Sequence, residues 1–260
     1  MARYNQVLLL GAVVSQPKTA VDENGEIDKI SVSTAVMRSQ RNSVEYSTKQ
    51  VWDIPLVMSV KRRIIESMRS LTVGSVVFIE GTLCTVNYDA VVRCPVCNTP
   101  ITEPTTIAFV NPIYVREIVH YKTKEQAMKF IESQQAISNR CTLIGTCRFE
   151  PAWHVTSSGL GICNYQMFVK RAIRIREEED RNKYDFPFIK SYGSCASDDH
   201  DYVKAGTTVF VDGFLQTRDY TKEKECPNCG EKIKLRRMVT EVVPHSSEYF
   251  GKSLRVIPGD

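Results

Sequence analysis

GSVVFIEGTLCT at Gly74–Thr85 and GTTVFVDGFLQT at Gly206–Thr217 are two copies of one pattern, 132 residues apart. Each opens on Gly, runs through β-branched and aromatic residues, meets a second Gly and closes on L-x-T. Moving outward, Tyr88 and Tyr220 keep the same offset, and so do CPVC (Cys94–Cys97) and CPNC (Cys226–Cys229). WDIPLV from Trp52 matches YDFPFI from Tyr184. Further back, VMR ending at Arg38 matches VKR ending at Arg171, and NQVLLLG at Asn5–Gly11 matches NRCTLIG at Asn139–Gly145. Ordered agreement over this length means an internal duplication, the first thing to settle in any fold reading. At the far end, VREIV from Val115 is read against VTEVV from Val239, an offset of 124 that implies eight residues lost in the second copy.

Each copy reads as strands. VLLLG, ISVSTAV and VVFIEGTL are short, rich in β-branched and aromatic residues, and punctuated by Gly and Pro. SVKRRIIESMRSL, before the fourth strand of the first copy, has helical spacing. Its counterpart SCASDDHDYVKAG is poor in helix formers and is expected to be a turn or loop. Five strands with a connector between the third and fourth is the plan of the five-stranded Greek-key barrel, the OB fold. The expected fold class is therefore mainly all-β, two tandem OB folds with short connecting helices. The first unit is assigned to 1–120, the second to 138–260. Between them, 121–137 is a helical linker placing Ala127, Phe130 and Ile131 on one face.

N-x-x-x-L-x-G at the start, AGTTVFVDGFLQTRDY at Ala205–Tyr220 and VTEVV at Val239–Val243 resemble the first, fourth and fifth strands of the bacterial single-stranded DNA-binding protein family. The resemblance covers roughly 5–120 and 139–250, with the first copy more diverged. It implies non-enzymatic, sequence-independent binding of single-stranded DNA, in replication, recombination, repair or mobile-element transfer. By position it assigns base-stacking roles to Tyr88 and Tyr220, to Trp52 and Tyr184, and to Tyr192. It also implies a homodimer, because the family commonly assembles four OB folds and this chain carries two. The family usually ends in a tail with an acidic tip that recruits partners. This chain stops at SLRVIPGD with no acidic run, so tail-recruited partners are not expected. Nor does the family ordinarily carry CxxC in this hairpin.

Composition limits the alternatives. The 260 residues carry a net charge of +4, 34 basic against 30 acidic, which permits a polyanionic partner without demanding one. No apolar run reaches the ~20 residues of a membrane span, and MARYNQVLLLGAVV is not read as a signal peptide, so a cytoplasmic location is expected. No Walker loop, no zinc-hydrolase pattern and no paired helical carboxylates are found.

Charge is uneven between the copies. Gln216–Arg237 has a net charge of +3, from Arg218, Lys222, Lys224, Lys232, Lys234, Arg236 and Arg237 against four acids. The equivalent Cys84–Thr106 has a net charge of −1. These cations are candidate phosphate contacts, and the second copy is expected to do most of the binding. Tyr220 leaves its strand in a polar stretch, where a ring is available for stacking. An adaptor role in a replisome or primosome, and binding of RNA, stay open on the same fold.

Nine cysteines with no export signal argue against a disulfide framework. Cys84, Cys141, Cys147, Cys163 and Cys195 read as small buried hydrophobes. Each CxxC is half a tetrahedral site. If the two hairpins meet, within a chain or between chains, Cys94, Cys97, Cys226 and Cys229 would form one structural Zn²⁺ site per chain. A redox dithiol and plain turn cysteines are the other readings.

Overall fold

The computed structural model describes residues 4–38, 52–171, 173–176 and 183–252. The closing SLRVIPGD lies outside them. The first copy runs β1 (Tyr4–Val13), β2 (Lys18–Val21), β3 (Ile27–Met37), β4 (Trp52–Asp53), β5 (Leu56–Ser59), α1 (Arg62–Arg69), β6 (Ser75–Arg93) and β7 (Pro100–His120). Two helices follow, α2 (Lys124–Glu132) and α3 (Gln135–Ser138). The second copy runs β8 (Asn139–Cys147), β9 (Ala152–Val155), β10 (Gly161–Lys170), β11 (Tyr184–Asp185), β12 (Phe188–Tyr192), α4 (Gly193–Tyr202), β13 (Thr207–Glu225) and β14 (Lys232–Lys252).

Each copy closes into a five-stranded barrel. In the first, β1 pairs with β3 and β6, β6 with β7, and β3 with β5, all antiparallel; a parallel pairing of Val57 with Val110 completes the ring. The second repeats this circuit, with Ile189 parallel to Val242 as its closing pair. The interiors are filled by the inward residues of alternating strands, among them Val7, Leu9 and Val57 in one and Leu143, Met167 and Ile189 in the other. The two barrels share a sheet, because β1 and β8 pair antiparallel from Tyr4↔Ile144 to Leu9↔Asn139. Asn5 and Asn139 play one role in both: each amide side chain exchanges two hydrogen bonds of 2.8–3.0 Å with the backbone of Leu83 or Leu215. No helix of the described residues is long and apolar enough to cross a membrane.

Two expectations are corrected. The last strand keeps the offset of 132: Gly81 lies opposite Pro112 and Gly213 opposite Pro244, each beside a bulge. No residues are lost, and VTEVV corresponds to 107–111. VREIV and VTEVV agree in Val, Glu and Val, and an eight-residue slip preserves the inside–outside alternation, so the pattern alone does not expose it. Both glycines are needed at the bulge, where a Cβ would collide with the carbonyl of Asn111 or Val243.

The expected loop of the second copy is instead the helix α4. It buries Ala196 and Asp199, and Tyr202 stacks on Tyr249 at 5.4 Å. Packing against the barrel end supplies what its residues lack in propensity. In α2, Ala127 and Ile131 are buried and Phe130 is partly covered, and Thr123 caps the N-terminus.

Candidate nucleic-acid interface and cysteine centre

The long hairpins β6–β7 and β13–β14 leave their barrels as two ribbons that pack on each other. Ile101, Ile233 and Leu235, with Val92, form a small core there with the buried Cys94 and Cys226. The tips are built alike. Cys94 N–H donates to Thr99 O and Asn98 N–H to Cys94 O; Cys226 N–H donates to Glu231 O and Gly230 N–H to Cys226 O. The residue after the second cysteine needs positive φ, which Gly230 adopts at 73° without cost and Asn98 tolerates at 58°.

These turns bring all four predicted sulfurs within 4.8 Å of one another. The short contacts run between the hairpins: Cys94 to Cys229 and Cys97 to Cys226, both 3.6 Å. A tetrahedral zinc with Zn–S near 2.3 Å needs sulfurs about 3.8 Å apart, so the cluster has the size of a metal site. The Thr99 hydroxyl and backbone, with Asn228, pull the Cys97 thiol down to about 5. At Cys229 the Glu231 backbone N–H pulls down, but the Cys97 sulfur, burial and the other two sulfurs push it up to about 12. The isolated cysteines differ: burial drives Cys163 and Cys195 up to about 12.

The outward face of the second barrel follows the strand order β11–β10–β12–β14–β13. Alternation along β12 buries Ile189 and Ser191 and turns Phe188, Lys190 and Tyr192 outward. Tyr184 stacks on Phe168 at 4.0 Å, with the Lys170 ammonium 5.9 Å from its ring. The Arg148 guanidinium lies 4.6 Å from the Phe149 ring and 4.9 Å from that of Phe186. Lys190 sits 5.7 Å from the Tyr192 ring, and Arg218 5.7 Å from that of Tyr220. Among the described residues, every cation–ring pair falls in this copy. Arg218 is held by a bidentate pair with Glu241, at 2.7 and 2.8 Å. Sequence reasoning missed Arg148, Phe168, Lys170 and Lys190; the outward alternation of FIKSY was the one signal that pointed to Lys190.

At the offset of 132, the first barrel carries Ile54, Leu56, Met58, Val86 and Tyr88 in place of Phe186, Phe188, Lys190, Arg218 and Tyr220. Tyr88 is 44% exposed, much as Tyr220 at 41%. Trp52, the counterpart of Tyr184, packs into a cluster with Leu10, Met37 and Ile131, where α2 lies on the barrel wall.

The remaining predicted cations divide into two groups. Lys232 and Arg236 are exposed, and Lys234 lies 3.7 Å from Glu223. Lys222, Lys224 and Arg237 turn toward the other hairpin. Lys222 and Lys224 each reach one carboxylate oxygen of Glu103 at 2.6 Å, and Arg237 bonds the Thr105 hydroxyl.

Two fused five-stranded barrels with long hairpins and an outward aromatic–cation face define a tandem OB-fold protein. Solved structures share this fold along nearly the whole chain. The wild-type single-stranded DNA-binding protein of Thermus aquaticus superposes with a TM-score of 0.61 at 15% identity, over 100% of this chain and 98% of its own. A deletion mutant of that protein gives 0.63 at 16% identity. Residues 138–246, most of the second copy, match the single-strand binding protein family. A single-stranded DNA-binding protein of Staphylococcus aureus strain MRSA252 is 29% identical over 112 residues, 43% of this chain and 65% of the relative. One from Halalkalibacterium halodurans is 28% identical over 112 residues, 60% of its own length. The matched region thus spans under two thirds of these relatives.

Proposed function

We propose that the chain binds single-stranded DNA without sequence preference, as a non-catalytic cytoplasmic protein of replication, recombination, repair or mobile-element transfer. One observation carries this reading: the outward face of the second barrel interleaves half-exposed rings with cations, in a family whose named members bind single strands. Stacking on a ring is tolerant of sequence, and clustered cations track a backbone. Tyr184, Tyr192 and Tyr220 are the proposed stacking positions, with Lys190, Lys232, Lys234 and Arg236 on the phosphates and Arg218, held by Glu241, beside the Tyr220 ring. Trp52 and Tyr88 are secondary, because Ile54, Leu56, Met58 and Val86 stand where the second copy has Phe186, Phe188, Lys190 and Arg218, and α2 covers the wall that holds Trp52. Titration with labelled dT, rU and duplex oligonucleotides tests the reading. It expects single strands to win and affinity to fall steeply with salt; equal affinity for duplex would reject it.

We further propose one structural Zn²⁺ per chain on Cys94, Cys97, Cys226 and Cys229, joining two units at 1–120 and 138–260 that the 121–137 linker connects at its other end. Four sulfur donors leave no open position for water, so the metal's role is to fix the hairpins. Elemental analysis of protein purified without chelator should find one zinc per chain; its absence rejects the site. The second copy's wall and the first form one continuous sheet whose outer surface exposes Tyr4 and Tyr114, with Phe78 edge-on to Tyr114 at 6.4 Å. That surface supports a homodimer, which light scattering at micromolar concentration would show as twice the chain mass.

A further inference from the structure

The acidic hairpin of the first copy and the basic hairpin of the second meet at one carboxylate. Glu103, on β7, is buried, and its two oxygens are divided between two ammonium groups: Oε1 takes Lys222 Nζ and Oε2 takes Lys224 Nζ, both at 2.6 Å. Lys224 also donates to the Thr102 carbonyl at 2.9 Å. The two lysines hold the Glu103 carboxyl down to about 2.

The duplication shows that this clamp is not part of the general joint. At the offset of 132, Glu103 corresponds to Leu235, Lys222 to Ala90 and Lys224 to Val92. The reciprocal contact is therefore apolar, and Leu235 and Val92 belong to the hairpin core. Sulfurs and apolar side chains join the hairpins from both sides; the charged clamp exists on one side only. It also removes two cations from the basic hairpin of the second copy. The lysine side chains stay 50% and 33% exposed, so a competing anion can reach them.

A buried anionic centre presenting one oxygen to each of two ammonium groups is what a strand phosphate would present. We propose that Glu103 is an internal stand-in for a nucleic-acid phosphate, which keeps Lys222 and Lys224 neutralised and so limits binding along this hairpin. The proposal rests on the single-strand reading above. It makes the chain a weaker and less salt-sensitive binder than its count of basic residues implies, because a cation already paired with an internal anion displaces no counterion from the strand.

Glu103→Gln keeps the shape of the side chain and removes its charge. Each added phosphate contact steepens the slope of log affinity against log salt by about 0.7 for single strands. Release of two lysines should therefore steepen it by about 1.4 and raise affinity at low salt. The triple variant Glu103→Gln, Lys222→Gln, Lys224→Gln should return to the wild-type slope. An unchanged or shallower slope for Glu103→Gln overturns the proposal, as does a triple variant that stays steep. Unfolding of Glu103→Gln overturns it too, since the clamp would then be a structural staple. If the wild-type protein fails to bind dT at any salt, the function proposed above falls instead.

Discussion

The carboxylate of Asp53 and the backbone of Thr217, 164 residues apart, meet at 2.7 Å. Asp53 also takes a bidentate pair from Arg38 at 2.7 and 3.0 Å. The second copy returns the contact: Asp185 accepts the Thr85 N–H at 2.6 Å and a bidentate pair from Arg171 at 2.6 and 3.0 Å. Both carboxylates are fully buried. The third-strand corner of each barrel is thus fastened to the hairpin base of the other, which sets Trp52 and Tyr184 beside hairpins of the opposite copy. Replacing Asp53 by Ala leaves the partly buried Arg38 and the Thr217 N–H without their anion. A loss of about 3–5 kcal/mol is expected in urea unfolding. A loss under 1 kcal/mol would mean the clasp does little.

The copies should contribute unequally to binding. Tyr220→Ala should weaken single-strand affinity by ~1–3 kcal/mol, and Tyr88→Ala by less, because Val86 holds the place beside Tyr88 that Arg218 holds beside Tyr220. Equal losses in the two titrations would contradict the asymmetry.

Metal removal should act on the hairpins alone. Their apolar core is small, so metal affinity there becomes folding free energy. A chelator should make Lys222, Lys224, Lys232, Lys234, Arg236 and Arg237 sites of rapid trypsin cleavage while both barrels resist. Cleavage unchanged by chelator would show that packing alone closes the ribbons.

A pH dependence is expected from Asp199. Burial raises its pKa above the usual 3.8, against the hydrogen bond that the Tyr249 hydroxyl donates to it at 2.8 Å. The native state then binds the proton more tightly than the unfolded chain. Stability from this group is complete below pH 3.8 and is lost as pH rises through the raised value. Asp199→Asn should flatten that part of the stability profile and unfold later than wild type at pH 7. A variant less stable at pH 7 would show that the charged form is the one the barrel needs.

How far the chain could be read from its sequence follows from the range of each interaction. The duplication, the strands and the CxxC pairs are local patterns, and GTTVFVDGFLQT against GSVVFIEGTLCT carries most of them. The helix α4 was not legible, because Ala196 and Asp199 gain their stability from the barrel end rather than from helix propensity. The register of β14 was hidden by a period-two pattern that slips silently. Lys222 and Lys224 looked like open phosphate contacts because Glu103, their partner, lies about 120 residues back in the other copy. Likewise, nothing local said that α2 would lie against the wall that holds Trp52.

Where a single strand touches the protein is the most direct test of the account. Photocross-linking of a 5-iododeoxyuridine-substituted oligonucleotide, mapped by peptide mass spectrometry, reads this position by position. The account predicts adducts concentrated at Tyr184, Tyr192 and Tyr220, few at Trp52 and Tyr88, and none when duplex replaces the single strand. Adducts concentrated on the first copy, or equally abundant with duplex, would contradict it.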